Sequence, residues 1–173
     1  MQNHDPSASA DELEAGRWCS LHPRVVTRWR IDTVGNGLFV AVPLAAAELI
    51  ARNSGWLDGW PILVAPAAIL ALAVLAGLVW PPIVYRHWSY RLADDALEIR
   101  RGVIVQRRSA VPYRRVQQVD LSKGPIDRLL GLVSADLTTA AATSDGSVPG
   151  LASGDAEAFR QLVLERAGRD DAV

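Results

Sequence analysis

Only one cysteine, Cys19, stands in the 173 residues, so no disulfide forms within the chain and no cysteine-cluster zinc site is available. Histidine is nearly as scarce: His4, His22 and His87 are scattered without metal-ligand spacing. An excess of either charge is also missing. The net charge of −1 argues against a general nucleic-acid binder. No P-loop, GxGxxG, HExxH or GxSxG stretch occurs, and no nucleophile–base pair stands out. The chain is therefore read as a non-enzyme with no catalytic, cofactor-binding or metal-binding residue. The opening MQNHDPSASADELEAG lacks the basic then apolar order of a signal peptide. It is polar, small and acidic, and residues 1–16 are expected to be a disordered tail.

Half of the residues are hydrophobic, and two long runs are largely so. Residues 34–51, VGNGLFVAVPLAAAELIA, predict one transmembrane helix, with Pro43 inside it and Glu48 near one end. Residues 60–80, WPILVAPAAILALAVLAGLVW, carry no charge at all. At 1.5 Å per residue they span about 31 Å, against a hydrocarbon core of about 30 Å. Pro81-Pro82 is expected to stop this helix. Residues 17–84 thus form a membrane anchor, with Trp29, Trp60, Trp80 and Trp88 as interface anchors. Arg17, Arg24, Arg28 and Arg30 precede the spans and Arg86 and Arg91 follow them, while Arg52 alone marks the loop. The positive-inside rule predicts a multi-pass plasma-membrane protein with both termini in the cytoplasm. Glu48 is expected to reach the interface or to pair with Arg52 at i, i+4. Ala73 and Gly77 form a small-xxx-small pair that suits helix packing, within the hairpin or in an oligomer.

Beyond Pro82 the period changes from helical to alternating. Trp88, Tyr90 and Leu92 share one strand face, and Leu97 and Ile99 pair with it across the turn at Asp94-Asp95. Arg101-Gly102 reads as a second turn, after which Val103 and Val105 resume the alternation. GPIDRLLG is a helical turn closed by Gly131, with Ile126, Leu129 and Leu130 facing inward and Asp127 and Arg128 facing water. TSDGS is a hairpin loop and VPGLA a short strand. From about Ser153 to Ala167, Ala156, Phe159, Leu162 and Val163 mark the buried face of a helix, with Ser153 or Asp155 able to cap it. The fold class is a membrane α-helical hairpin followed by a mainly β domain of about seven antiparallel strands and one C-terminal helix. That domain spans residues 85–168, and residues 169–173 form a tail.

The succession LADDALEIRRGVIVQRRSAVPYRRVQQVDLSKGPIDRLLGLVSADLTTA, then VPGLASGDAEAFRQLV, resembles the bacterial pleckstrin-homology (PH) domains of the YdbS-like, membrane-flanked group. The resemblance implies a strongly bent seven-stranded sheet closed at one end by the final helix. It implies no catalytic residues. It also implies a protein partner, such as a longer relative with several PH-like domains, or a homo-oligomer. The sequence departs from the group after TTA, where AAATSDGS is short and Ala-rich.

Arg100, Arg101, Arg107, Arg108, Arg114 and Arg115 are the one suggestive constellation. Convergent guanidinium donors suit a polyanion, and each arginine near an anionic surface adds about 1 kcal/mol. Arg107, Arg108, Arg114 and Arg115 are the candidate contacts to anionic lipid of the bilayer. The alternative is a solvated strand face neutralised by Asp94, Asp95 and Glu98. The expected function is a membrane-anchored scaffold for protein assembly at the cytoplasmic face. A sensor of anionic headgroups or a small ligand is the competing reading.

Overall fold

The structure, a computed structural model, describes residues 16–53, 63–139 and 146–170. The tail expected over 1–16 lies outside them except for Gly16, as do Trp60 and most of the loop between the spans. The Ala-rich stretch at 140–145 and the last three residues also lie outside. The chain divides into two compact units. One is Val26–Pro82, and the other joins the residues before it to those from Ile83 onward.

The helical unit is built on α1 (Arg24–Asn53) and α2 (Val64–Arg86), which extend at their outer ends into the other unit. Both are long and apolar enough to cross a membrane, and only 6% and 11% of their most apolar windows are buried. A soluble core helix would hide such surface. Here Phe39, Ile50 and Leu72 are left exposed, as hydrocarbon solvent allows. Small residues bring the two helices together. A Cβ added at Gly37 would collide with that of Ala73, and one at Gly77 would lie 3.4 Å from Val34 and 3.6 Å from the Arg30 carbonyl. Ala73 and Gly77 therefore serve the hairpin itself. Glu48 also has a role that the spacing does not foresee. Its Oε1 accepts the Leu63 amide at 2.6 Å. Leu63 precedes α2 and its carbonyl accepts from Ala67, so the carboxylate satisfies a donor at a positive helix end.

Both helices overrun their expected ends. α1 begins at Arg24, ten residues before the apolar run, and its first turns carry an Arg28–Asp32 ion pair at i, i+4. α2 passes through Pro81-Pro82 to Arg86. Proline keeps a helical φ, although it loses its donor and crowds the carbonyl four residues back, so the continuation needs support from elsewhere. Beyond the prolines the helix end is held, because the Tyr85 hydroxyl donates to the Leu21 carbonyl at 3.0 Å.

The β unit contains six strands among the described residues, in two antiparallel three-stranded sheets. β1 (Ser89–Leu92), β2 (Ala96–Arg101) and β3 (Arg107–Pro112) form the first. A 3₁₀ turn, Tyr113–Arg115, leads to β4 (Val116–Ser122), which pairs with β5 (Leu132–Thr139), and β5 pairs with β6 (Ser147–Ala152). The seven-stranded expectation fails at Val103 and Val105. Arg101 is already opposite Arg107, so residues 102–106 are the loop of the β2–β3 hairpin and their alternation is not a strand.

The core follows the alternation. Tyr90 faces Ile99 and Leu92 faces Leu97, and all four are buried. α3 (Pro125–Leu130) ends at Gly131, whose φ of 68° takes the left-handed cap. Its faces are not those expected. Asp127 is buried, because its Oδ2 accepts the Gly124 amide at 3.1 Å and closes the first turn, while Leu129 is 88% exposed. α4 (Ala156–Asp170) begins after Asp155, whose carbonyl accepts from Phe159, and it runs two residues into the expected tail. Ala156, Phe159 and Val163 are buried, and the Phe159 ring meets Tyr90 edge-on at 5.9 Å. Arg166 bonds the Leu92 and Ala93 carbonyls, each at 2.9 Å, and fastens the helix to the end of β1.

Residues 16–25 belong to this unit, so its boundary differs from the one expected at residue 85. Cys19 and Tyr90 exchange two backbone hydrogen bonds, at 2.8 and 2.9 Å. The His22 amide donates to the Gly150 carbonyl, and Leu21 and Val25 are fully enclosed. Gly150 has φ 70°, and a Cβ there would lie 2.6 Å from Val25. Trp88, read as an interface anchor, is 7% exposed and packs edge-on to Tyr90, so its ring is in the core and not at headgroups.

Phe159→Ala should destabilise the β unit by about 3–5 kcal/mol, because it empties a fully buried site. Denaturant titration of the detergent-solubilised chain checks this, and a loss under about 1 kcal/mol would mean that α4 does not dock.

Candidate functional site

The ladder that aligns Leu97 with Val111 also sets Arg100 opposite Arg108 and Arg101 opposite Arg107. Like charges directly opposite each other in a sheet are destabilising. Side-chain alternation puts Arg100 and Arg108 on the outer face with Glu98, and Arg101 and Arg107 on the other face, past the end of the core. Arg86 and His87 come to the same place from the end of α2. These five arginines and the imidazole, with Ser89, Gly102 and Gln106, line a hollow of about 210 Å³. No carboxylate is among the described residues that line it. Arg107 and Arg108 are exposed, so their guanidinium groups are available to solvent and solutes.

Two contacts shape the cluster's outer face. Arg91 and Glu98 form a two-point ion pair, with both distances 2.9 Å. Those hydrogen bonds hold the Glu98 carboxyl below its ordinary value, and the charges of Arg91, Arg100 and Arg108 add to the effect. Trp18 lies beneath Arg100, its ring 3.7 Å from the guanidinium carbon, with Arg91 at 4.8 Å. Trp18, Glu98, Arg100 and Arg108 border a second hollow of about 230 Å³. Trp18 falls within the segment expected to anchor the membrane, and here it orients two arginines.

Arg114 and Arg115 do not join the cluster. They are exposed on the 3₁₀ turn after Pro112, which pairs with Ala96 at the opposite end of the hairpin. Five steps along the strand separate that end from Arg101, about 17 Å. The Asp94-Asp95 turn is at the Arg114 end too, where the Asp95 carbonyl accepts the Tyr113 amide. Of the three acids expected to neutralise the patch, Asp94 and Asp95 thus accompany the Arg114 end, and Glu98 stays with Arg100 and Arg108. Of the tryptophans, Trp29 is half-buried on α1 and Trp80 is 50% exposed on α2. Among the described residues no group of three or more His, Cys, Asp or Glu is placed to hold a metal ion.

Comparison with known proteins places this architecture. The family described as Bacterial PH domain matches residues 38–167, three-quarters of the chain. The chain belongs to the bacterial PH domain family. It is also 27% identical over 156 residues to the UPF0699 transmembrane protein YdbS of Bacillus subtilis strain 168, a match covering 87% of this chain and 94% of that one. No solved structure matches.

In this bacterial PH domain, sequence reasoning found four of the five arginines around the hollow and missed Arg86, which had served only to orient the spans. Its signal was its place three residues before Ser89, the start of β1. Trp18 was missed because cation–π stacking joins residues far apart in sequence.

Glu98 gives the site a pH dependence. Its folded pKa is depressed, so its stabilising contribution is present above the unfolded value and is lost as pH falls through the folded one. Stability should therefore decline on acidification below about pH 4, the ordinary carboxylate range. Glu98→Gln should flatten that part of the curve in a thermal-melt series from pH 3 to 7.

Proposed function

We propose that the chain is a membrane-anchored binding module whose arginine hollow holds a phosphate-bearing anion, with an anionic lipid headgroup as the ligand. The observation that carries this reading is the pair of facing arginine pairs at one strand end. Like charges that face each other across a ladder repel, and convergent guanidinium groups suit a bound anion that eases the repulsion. The lining groups are suited to holding an anion, and the reading is of a binder and not an enzyme. The hollow, at about 210 Å³, is of a size for a headgroup phosphate and its near atoms.

Membrane insertion of α1 and α2 as a two-span hairpin is part of the proposal. It is supported by their length, their low burial and the transmembrane description of the relative. The segment before α1 and the segment after α2 share one compact unit, which supports a common side for both ends of the hairpin. The arginine asymmetry supports the cytoplasmic side. A scaffold that gathers a partner protein or a second copy is the other reading. Ala73 and Gly77, which could have served an oligomer, are used inside the hairpin, and this shifts the weight to lipid.

Native mass spectrometry of the full chain, released from neutral detergent with phosphatidylglycerol, tests the site. The wild type and Arg114→Glu/Arg115→Glu should retain the lipid. Arg107→Glu/Arg108→Glu should lose at least roughly thirtyfold in affinity, taking about 1 kcal/mol for each arginine removed. Equal retention by that variant would rule out the hollow, and wild-type chains that carry another protein but no lipid would favour the scaffold.

A further inference from the structure

The β2–β3 loop carries RRGVIVQRR, and its apolar centre is in the open. Ile104 is 86% exposed and Val105 is 68% exposed. Two adjacent bare aliphatic side chains at a hairpin tip make a small apolar apex within a cationic surround. The tip is not a loose coil. Gly102 takes φ 111°, a region that favours glycine, and the Val105 carbonyl occupies the space where a Cβ at 102 would stand. The loop is therefore folded back on itself with Ile104 near its apex. Its two legs are the facing pairs Arg101–Arg107 and Arg100–Arg108. The sequence has no acidic residue from Ile99 to Val119.

We infer that the β2–β3 tip is a membrane-inserting finger: Ile104 and Val105 enter the acyl edge of an anionic leaflet while the arginines of both legs engage its phosphates. The inference rests on the anion-site reading and deepens it, since it makes the phosphate that of a lipid and not of a free solute. Charge complementarity argues for this occupant. An apolar apex inside a cationic collar matches a leaflet that is anionic at its surface and hydrocarbon just beneath. A protein partner would need an apolar socket with an acidic rim. Reach is not a barrier: two residues separate Arg86, the end of α2, from Ser89, the start of β1, so the β unit is tethered close to any bilayer that α2 crosses.

The test uses the full chain with Cys19→Ala and Ile104→Cys, the new thiol carrying an environment-sensitive fluorophore. Cys19 bonds Tyr90 through its backbone, so the first change leaves that bridge intact. The protein is reconstituted in phosphatidylcholine bilayers with and without phosphatidylglycerol. With phosphatidylglycerol, emission should shift to the blue, a spin label on a shallow acyl carbon should quench it, and quenching by aqueous iodide should fall severalfold. A label as open to iodide in these bilayers as in detergent overturns the finger. So does shielding that rises with protein density and ignores lipid charge, the mark of a second copy. Native mass spectrometry separates this failure from that of the site: bound phosphatidylglycerol with a wet label sinks the finger alone, and no bound lipid with a wet label sinks both.

Discussion

The chain enters and leaves its helical hairpin from one β unit, because residues 16–25 are built into the sheet and core that residues 83 onward complete. The tie is specific. Two backbone bonds join Cys19 to Tyr90, the Leu21 carbonyl takes the Tyr85 hydroxyl, and Val25 fills the space that Gly150 leaves open. Much else depends on this arrangement. Trp18 is held where it can stack on Arg91 and Arg100, and the Arg24 guanidinium reaches the Leu130 carbonyl at 3.1 Å, beside the end of α3. A fragment starting at residue 85 would lack three enclosed side chains, Cys19, Leu21 and Val25.

Register does for the site what this tie does for the fold. A one-residue slip of β3 on β2 would move its apolar residue off the core face, so burial of Leu97 and Val111 fixes the pairing. With the pairing fixed, the arginines at the hairpin's loop end face one another, and those after Pro112 are carried to the far end beside Asp94 and Asp95. A patch that looks continuous in sequence becomes two halves. One is accompanied by acids. The other surrounds a hollow with arginines, and Glu98, held by Arg91, borders its outer face.

What the sequence revealed was local and periodic. The faces of β1 and β2, the Gly131 stop, the buried stripe of α4 and the apolar helices all follow from spacing within a few residues. What it hid depends on distant partners. WCSLHPRVV reads equally well as a membrane approach or as an edge segment, because Pro23 breaks its period and its neighbours Tyr90 and Gly150 are far along the chain. Val103-Ile104-Val105 alternates as a strand would, yet the Arg101–Arg107 pair closes the ladder before it. Pro81-Pro82 signals a stop that Tyr85's hold on Leu21 overrides. Asp127 reads as a water-facing acid from its charge, but so short a helix needs its carboxylate to hold the Gly124 amide. Trp88 reads as an interface ring from its neighbours, but its alternation with Tyr90 and Leu92 points inward.

Topology tests the shared β unit most directly, because two segments that pack into one core cannot lie on opposite sides of a bilayer. Reporters active only outside the membrane can be fused before Met1, after Val173, and between Ser54 and Gly59. The account predicts silence at both ends and signal from the loop. Signal from one end and not the other would contradict it, since residues 16–25 could not then complete the core.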